Sequence, residues 1–180
     1  MKKINIAQMA MIGVMTAVIC VLAPFTIPIG VIPLSLANFA IFLSIYLLGT
    51  WKGAISLLLY LLIGLIGVPV FSGFSSGPAK LFGPTGGYLV GYFFMAIVAG
   101  IFIEKFDGKK LPALCGMLLG TIILYLFGTA WLAYQAKMTF QAALWAGVIP
   151  FILGDLIKII IVLFAGPIIR QRLEKAGLSN

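Results

Sequence analysis

Histidine is absent from this 180-residue sequence, and acidic residues are scarce, with 4 Asp and Glu against 12 Lys and Arg. Without histidine there is no histidine-based metal site and no imidazole acid–base catalyst. The two cysteines, Cys20 and Cys115, lie in apolar runs and lack the spacing of a zinc site or a disulfide framework. We therefore predict no metal site, no catalytic residues and no bound cofactor.

Charge of either sign is also rare. Only 9% of the residues are charged while 63% are hydrophobic, and the mean hydropathy is +1.21. A soluble domain carries about 25% charged residues. The composition therefore indicates an integral membrane protein. The net charge of +8 does not indicate a nucleic-acid partner, because the basic residues cluster at the ends of apolar segments, as a membrane orientation signal does.

Six apolar segments approach the length of about 20 residues that a spanning helix needs. We predict an all-α, polytopic fold with residues 1–180 in a single transmembrane domain. The predicted helices cover residues 6–23, 33–49, 52–68, 85–103, 111–133 and 141–169. Pro33 suits a first helical turn. The last segment is longer than a bilayer requires, so it either projects outward or breaks near Pro150.

The basic residues predict the orientation. Six spans place both termini on one side, and a cytoplasmic assignment puts nine basic residues inside and two, Lys80 and Lys137, outside. The inner residues are Lys2, Lys3, Lys52, Lys105, Lys109, Lys110, Arg170, Arg172 and Lys175. This excess follows the positive-inside rule. We expect a multi-pass protein of the cell membrane with both termini in the cytoplasm.

The outer connection at residues 69–84 reads PVFSGFSSGPAKLFGP. Its glycines and Lys80 do not match the Walker pattern, which excludes a nucleotide-binding loop there. One interpretation is a flexible hairpin loop. The other is a lid or wall over an outward-facing pocket, which the phenylalanines favour because a solvated loop does not need them.

Asp155 and Lys158 are the acid and the base that lie deep inside an apolar segment. Ionisable residues within a bilayer are costly and are candidates for function. At a spacing of three, both lie on one face of a helix. They either bridge to each other for structural reasons or line a pocket, where the carboxylate would accept ligand N–H groups and the ammonium would neutralise a ligand carboxylate.

Other residues are candidates for the wall of such a pocket. Tyr88, Tyr125, Trp131 and Phe82 would supply aromatic surface. Asn38 would either cap the second helix or join the pocket. Gly86 opens the fourth helix, where free N–H groups could face an anion, or it only permits close helix packing.

Small residues form a stripe on the first helix, at Ala10, Gly13 and Ala17. Stripes of this kind let helices approach closely. The stripe serves either packing within the bundle or docking of another membrane protein.

Four blocks of sequence resemble one known family. They are residues 67–71 (GVPVF), residues 83–89 (GPTGGYL), Gly128 with Trp131, and residues 150–158 (PFILGDLIK). They are similar to the BioY family, the biotin-specific substrate-binding (S) components of energy-coupling factor (ECF) transporters. The resemblance spans nearly the whole chain.

The resemblance implies a six-helix S-component bundle with a pocket on the extracellular side, capped by the first and third outer connections. It implies biotin as the ligand, with Asp155 near the ureido ring and Lys158 near a polar end. The implied partners are a transmembrane coupling protein and two ATPase subunits. The first helix departs from the AxxxA pattern of such docking helices, because only Gly13 and Ala17 are small at both ends of that spacing.

Other functions remain open from the residues. An S component for another vitamin would leave Asp155 harder to explain if its ligand lacked N–H donors. A stand-alone facilitator or proton-coupled carrier would use Asp155 as its proton site, and its uptake would collapse with the proton gradient. A membrane enzyme would form product from the purified protein.

Overall fold

The computed structural model describes residues 5–29 and 32–178. Lys2 and Lys3, which we assigned to the inner side, lie outside the described residues. Within them the chain forms eight α-helices and one two-stranded sheet. The helices are α1 (Ile6–Leu22), α2 (Ala37–Leu48), α3 (Thr50–Leu65), α4 (Pro78–Leu81), α5 (Gly86–Lys105), α6 (Lys110–Gln135), α7 (Phe140–Gly147) and α8 (Ile152–Lys175). The strands are β1 (Thr26–Ile29) and β2 (Ile32–Ser35).

The β-hairpin corrects the prediction of an all-α fold with a helix beginning at Pro33. In the antiparallel register Thr26 pairs with Ser35, and Pro28 stands opposite Pro33. Proline has no N–H to donate, but both strands of a two-stranded hairpin are edges, where proline is tolerated. Pro33 therefore lies in β2, and α2 begins only at Ala37.

Ser35 fixes the start of α2. Its hydroxyl accepts a hydrogen bond from the backbone N–H of Ala37 at 3.0 Å and donates to the carbonyl of Ala23 at 2.7 Å. The first contact satisfies one of the free N–H groups of the α2 N-terminus. The second holds the end of α1 beside the start of α2, and Ile32 and Ser35 of β2 are buried whereas Ile27 of β1 is exposed.

The last apolar segment breaks, which was one of the two expected alternatives. α7 ends at Gly147, a 3₁₀ turn covers Ile149–Phe151, and α8 begins at Ile152. Pro150 cannot donate an N–H within this turn, so the helical hydrogen-bond ladder is interrupted there. The Tyr88 hydroxyl donates to the carbonyl of Gly147 at 2.9 Å and so satisfies a backbone group at the break.

Three segments are long and apolar enough to cross a membrane: α5, α6 and the broken segment Phe140–Lys175. The helices α1, α2 and α3 are apolar but shorter. α2 has 12 residues, which is about 18 Å of helix against a hydrocarbon core of about 30 Å. The hairpin that precedes α2 accounts for this shortness, because it occupies residues that we had predicted as helix.

α2 is the central helix of the bundle. Nine of its residues are buried, and it packs against α1, α3, α5 and α8. At its far end the Tyr46 hydroxyl donates to the carbonyl of Gly108, in the connection between α5 and α6, at 2.6 Å. We call this end of the bundle the inner end. The opposite end, which carries the hairpin and residues 69–84, is the outer end.

The inner turn between α2 and α3 is capped by a carboxylate from α5. Glu104 accepts hydrogen bonds from the backbone N–H of Thr50 at 2.8 Å and from its hydroxyl at 2.7 Å. A carboxylate at a helix N-terminus satisfies a free N–H group and complements the helix dipole. Glu104 thereby ties α3 to α5.

The outer segment at residues 69–77 is anchored by one of its phenylalanines. Phe71 is fully buried and meets Tyr60 of α3 edge-on, with ring centroids 5.5 Å apart. The segment also contacts the hairpin region, because the N–H of Gly73 donates to the carbonyl of Pro24 at 3.0 Å. Phe74 remains 60% exposed.

Candidate functional site

A cavity lies between β2, α2, α3, α5, α6 and the break between α7 and α8. It holds about 600 Å³ of atom-free space, part of which is open to the outside. Its ion pair and amide come from α8 and α2, its hydroxyl groups include those of Ser35, Ser72 and Thr85, and its four tyrosines come from α3, α5 and α6. The side chains used in the following argument are Ser35, Asn38, Tyr60, Ser72, Thr85, Tyr88, Tyr92, Tyr125, Asp155 and Lys158.

Asp155 and Lys158 meet at one side of this cavity. Their side chains form an ion pair with 2.9 Å between Lys158 Nζ and Asp155 Oδ1, and the residues are 4% and 7% exposed. Lys158 Nζ also donates to Asn38 Oδ1 at 3.0 Å and to the carbonyl of Ser35 at 2.5 Å. The structural bridge therefore exists, and both of its members also line the cavity.

The ammonium of Lys158 is saturated. An ammonium has three N–H donors and no acceptor, and Ser35, Asn38 and Asp155 supply three acceptors. A ligand carboxylate could reach Lys158 only by displacing one of them. Lys158 therefore neutralises Asp155 and joins α8 to α2 and the hairpin.

Asp155 and Asn38 keep hydrogen-bonding capacity. Asp155 accepts from Lys158 and, at 2.7 Å, from the hydroxyl of Tyr125, and a carboxylate offers about four acceptor positions. The amide oxygen of Asn38 accepts from Lys158 and from the N–H of Phe39, whereas its NH₂ group has no acceptor among the described residues. This side of the cavity thus presents acceptors beside free amide donors.

Four tyrosines form the aromatic wall. Tyr60, Tyr88, Tyr92 and Tyr125 all line the cavity. The hydroxyl of Tyr88 is engaged by Gly147, so this residue offers its ring to the cavity. The hydroxyl of Thr85, also in the lining, is buried and has no hydrogen-bond partner among the described residues.

Three candidates from the sequence lie outside the cavity lining. Phe82 is 64% exposed. Trp131 donates its indole N–H to the carbonyl of Gly83 at 2.9 Å, and so fastens the segment before α5 to α6. Gly86 packs tightly, since a Cβ there would overlap the carbonyl group of Leu81 and would lie 3.2 Å from the indole nitrogen of Trp131. Of the two interpretations of Gly86, the structure favours close packing.

Sequence reasoning missed several lining residues. Tyr92 lies one helical turn after Tyr88 on α5, so the i,i+4 spacing could have identified it. Ser35 and Tyr60 carried no comparable signal, because the hairpin and the packing of α3 place them at the cavity. Lys80 lies in α4, away from this lining, and partial burial lowers the pKa of its ammonium.

The small residues of α1 lie on its exposed side. Ala10, Gly13 and Ala17 are exposed, and no atom lies within 4 Å of a Cβ built on Gly13. The buried face of α1 is formed by Ile12, Met15, Thr16 and Ile19. Packing within the bundle therefore does not account for the stripe.

Known proteins with similar sequences match nearly the whole chain. Biotin transporter BioY2 of Lactococcus lactis subsp. cremoris is 35% identical over 92% of this chain and 91% of that protein. Biotin transporter BioY of Thermotoga maritima is 36% identical over 96% of this chain and 99% of its own length.

A solved structure has the same fold. The crystal structure at 2.1 Å of the S-component for biotin from an ECF-type ABC transporter superposes with a TM-score of 0.85. It is 32% identical in sequence, and the match covers 91% of this chain and 90% of that one. The model of the BioY family matches residues 1–175. This multi-pass membrane protein therefore belongs to the BioY family.

Proposed function

We propose that the chain is the biotin-binding S component of an ECF-type vitamin uptake transporter. The observation that carries the proposal is the cavity side on which Asp155 offers free acceptor positions and Asn38 offers free amide donors. The ureido ring of biotin has N–H donors and a carbonyl acceptor, so it complements both groups. The tyrosine wall suits the apolar remainder of the ligand.

The saturation of Lys158 orients the ligand in this proposal. Since all three N–H groups of Lys158 have acceptors, the ligand carboxylate has no free donor there. We place the ureido ring beside Asp155 and Asn38 and the carboxylate away from Lys158. The hydroxyls of Thr85 and Ser72 are polar groups of the lining that remain for it.

We infer six membrane crossings with both termini in the cytoplasm. The three long apolar segments and the three shorter helices supply six crossings, if the hairpin is counted with α2. The hairpin can lie at membrane depth because its strands pair with each other and both ends of β2, Ile32 and Ser35, are buried in protein. The cavity then opens to the extracellular side.

In this proposal the bound subunit associates with a transmembrane coupling protein and two ATPase subunits, which supply the energy for inward release. The exposed stripe Ala10, Gly13 and Ala17 is the proposed docking surface. Small side chains permit a partner helix to approach closely, and the space around Gly13 is open.

The binding proposal is tested by equilibrium titration of the detergent-purified protein with labelled biotin. We expect Asp155→Asn to weaken binding about 10- to 150-fold, because a hydrogen bond to a charged group contributes about 1.5–3 kcal/mol. Asp107→Asn is the matched control, since Asp107 is exposed in the inner connection between α5 and α6. It should bind as tightly as the unsubstituted protein.

Two results would count against the binding proposal. An unsubstituted protein that binds no biotin would remove the ligand assignment and direct a screen of other vitamins. Tight binding that Asp155→Asn leaves unchanged would keep the ligand but remove the proposed orientation.

Docking is tested separately, with Gly13→Trp and with Leu119→Trp as the control. Leu119 is 44% exposed on α6, so its replacement adds similar bulk on a different helix. We expect Gly13→Trp to abolish co-purification with the coupling protein and ATPases while biotin binding persists. Equal co-purification of both variants would locate the docking surface elsewhere.

A further inference from the structure

A second opening lies on the flank of the bundle, between α6 and α8. This crevice holds about 620 Å³ of atom-free space, part of which is open to the surroundings. Leu118, Ile122, Ile152, Leu156 and Ile159 supply its apolar walls. Its rim is accessible, since Ile122 is 54% exposed and Ile152 is 41% exposed.

The crevice and the polar cavity share two lining residues, Tyr125 and Asp155. This pair is therefore a wall common to both spaces. Both carboxylate oxygens of Asp155 are already hydrogen-bonded, one to Lys158 and the other to Tyr125. Contact between Asp155 and an apolar group in the crevice therefore costs less desolvation free energy than it would if the carboxylate were unpaired.

The lining determines what can occupy the crevice. Its remaining polar residue, Thr121, donates its hydroxyl to the carbonyl of Met117 at 2.8 Å. Water needs two to four polar partners in such a space, so apolar walls disfavour it. Both helices belong to long apolar segments, so in the membrane the crevice is continuous with the hydrocarbon of the bilayer.

We propose that this crevice binds one acyl chain of a membrane phospholipid. The chain lies between Ile122 and Leu156, makes van der Waals contacts with the apolar walls, and packs beside the Tyr125–Asp155 wall. The site selects for a hydrocarbon chain rather than for a head group, because its walls are apolar.

The test uses the purified full chain in bilayer nanodiscs that contain a phosphatidylcholine with a diazirine near the middle of one acyl chain. Labelled residues are mapped by mass spectrometry after photolysis. Leu156 and Ile157 are neighbours on α8 and are 38% and 51% exposed, but only Leu156 lines the crevice. A chain held in the crevice stays beside Leu156, whereas lipids beside Ile157 exchange freely, so we expect labelling of Leu156 to exceed that of Ile157 at least twofold although Leu156 is the less exposed residue.

A tryptophan variant that fills the crevice is compared with a variant that adds the same bulk outside it. Ile122→Trp adds bulk at the rim, whereas Leu126→Trp adds it one turn further along α6, at a position 56% exposed and outside the crevice lining. We expect Ile122→Trp to lower the labelling of Leu156 at least threefold and Leu126→Trp to leave it unchanged. Labelling of Leu156 no stronger than that of Ile157, or no effect of Ile122→Trp, would overturn the proposal. The readout needs no transported ligand, so it is independent of the biotin assignment.

Discussion

At the residue scale, the Asp155–Lys158 pair combines two roles that the sequence presented as alternatives. The side chains bridge to each other at 2.9 Å and also line the cavity. All three N–H groups of Lys158 donate to protein acceptors, whereas Asp155 retains free acceptor positions. The two residues thus differ in function, because the lysine stabilises the site and the aspartate is the proposed ligand contact.

This difference predicts unequal effects on stability. Lys158→Met leaves a buried carboxylate without its cation, and breaking a buried ion pair costs about 3–5 kcal/mol. Asp155→Asn/Lys158→Met removes both charges, so we expect it to recover part of that loss. Thermal unfolding of the detergent-solubilised protein should give a lower melting temperature for the single Lys158 variant than for the double variant.

Lys137→Met is the control for loss of a cation, because Lys137 is exposed in the connection between α6 and α7. It should melt close to the unsubstituted protein. A double variant that melts below Lys158→Met would mean that each charge stabilises the fold through contacts other than the pair.

At the scale of elements, the outer segment at residues 69–77 is held in place by the ring of Phe71, which packs against Gly64 of α3. A Cβ placed on Gly64 of α3 would lie 2.2 Å from the ring of Phe71, so only glycine admits this side chain. Phe71 is followed in the chain by Ser72, which lines the cavity, so the buried ring also fixes the position of Ser72. The segment therefore contributes one residue, Ser72, to the wall of the cavity, and Phe71 holds it there.

Gly64→Ala should loosen this wall. Overpacking of a buried site costs about 1–3 kcal/mol, and here the displaced group is the anchor of the segment. We expect faster dissociation of biotin, by about fivefold or more, measured by chase of the labelled ligand in detergent.

Gly13→Ala is the matched control, because no atom lies within 4 Å of the added methyl group. In a helix this replacement contributes up to about 1 kcal/mol, and it should leave the dissociation rate unchanged. An unchanged rate for Gly64→Ala as well would show that the Phe71 anchor does not control ligand escape.

At the scale of the whole molecule, charge predicts orientation. Basic residues concentrate at the end of the bundle opposite the hairpin, where Lys109 precedes α6, Lys110 begins it and Arg170 lies near the end of α8. The positive-inside rule supports the proposed orientation with this end in the cytoplasm. In that orientation the cavity faces the exterior, as the proposed function requires.

Thiol labelling tests this orientation in intact cells. In a background with Cys20→Ala and Cys115→Ala, Ala136→Cys at the outer end should react with a membrane-impermeant maleimide. Lys109→Cys at the inner end should react only after permeabilisation. Both positions are exposed, so a reversed pattern would reverse the topology.

Several features of the protein could be predicted from the sequence because they depend on composition or on residues close together in the chain. Low charge and long apolar runs indicated a membrane protein, and the spacing of Asp155 and Lys158 placed both on one helix face. Pro150 made a break one of the two alternatives for the last segment. Each inference depends on covalent properties or on neighbours within a helical turn.

The tertiary structure decided what depends on distant neighbours. Pro33 became part of a strand because Pro28 faces it across a hairpin. Trp131 and Gly86 lie outside the cavity lining, because the Trp131 indole bonds to Gly83 and Gly86 packs against the backbone of Leu81. The acceptors that saturate Lys158 come partly from Ser35 and Asn38, 123 and 120 positions away. The sequence by itself determined the membrane fold class and the charged pair, whereas only packing between distant segments decided which groups remain free to bind a ligand.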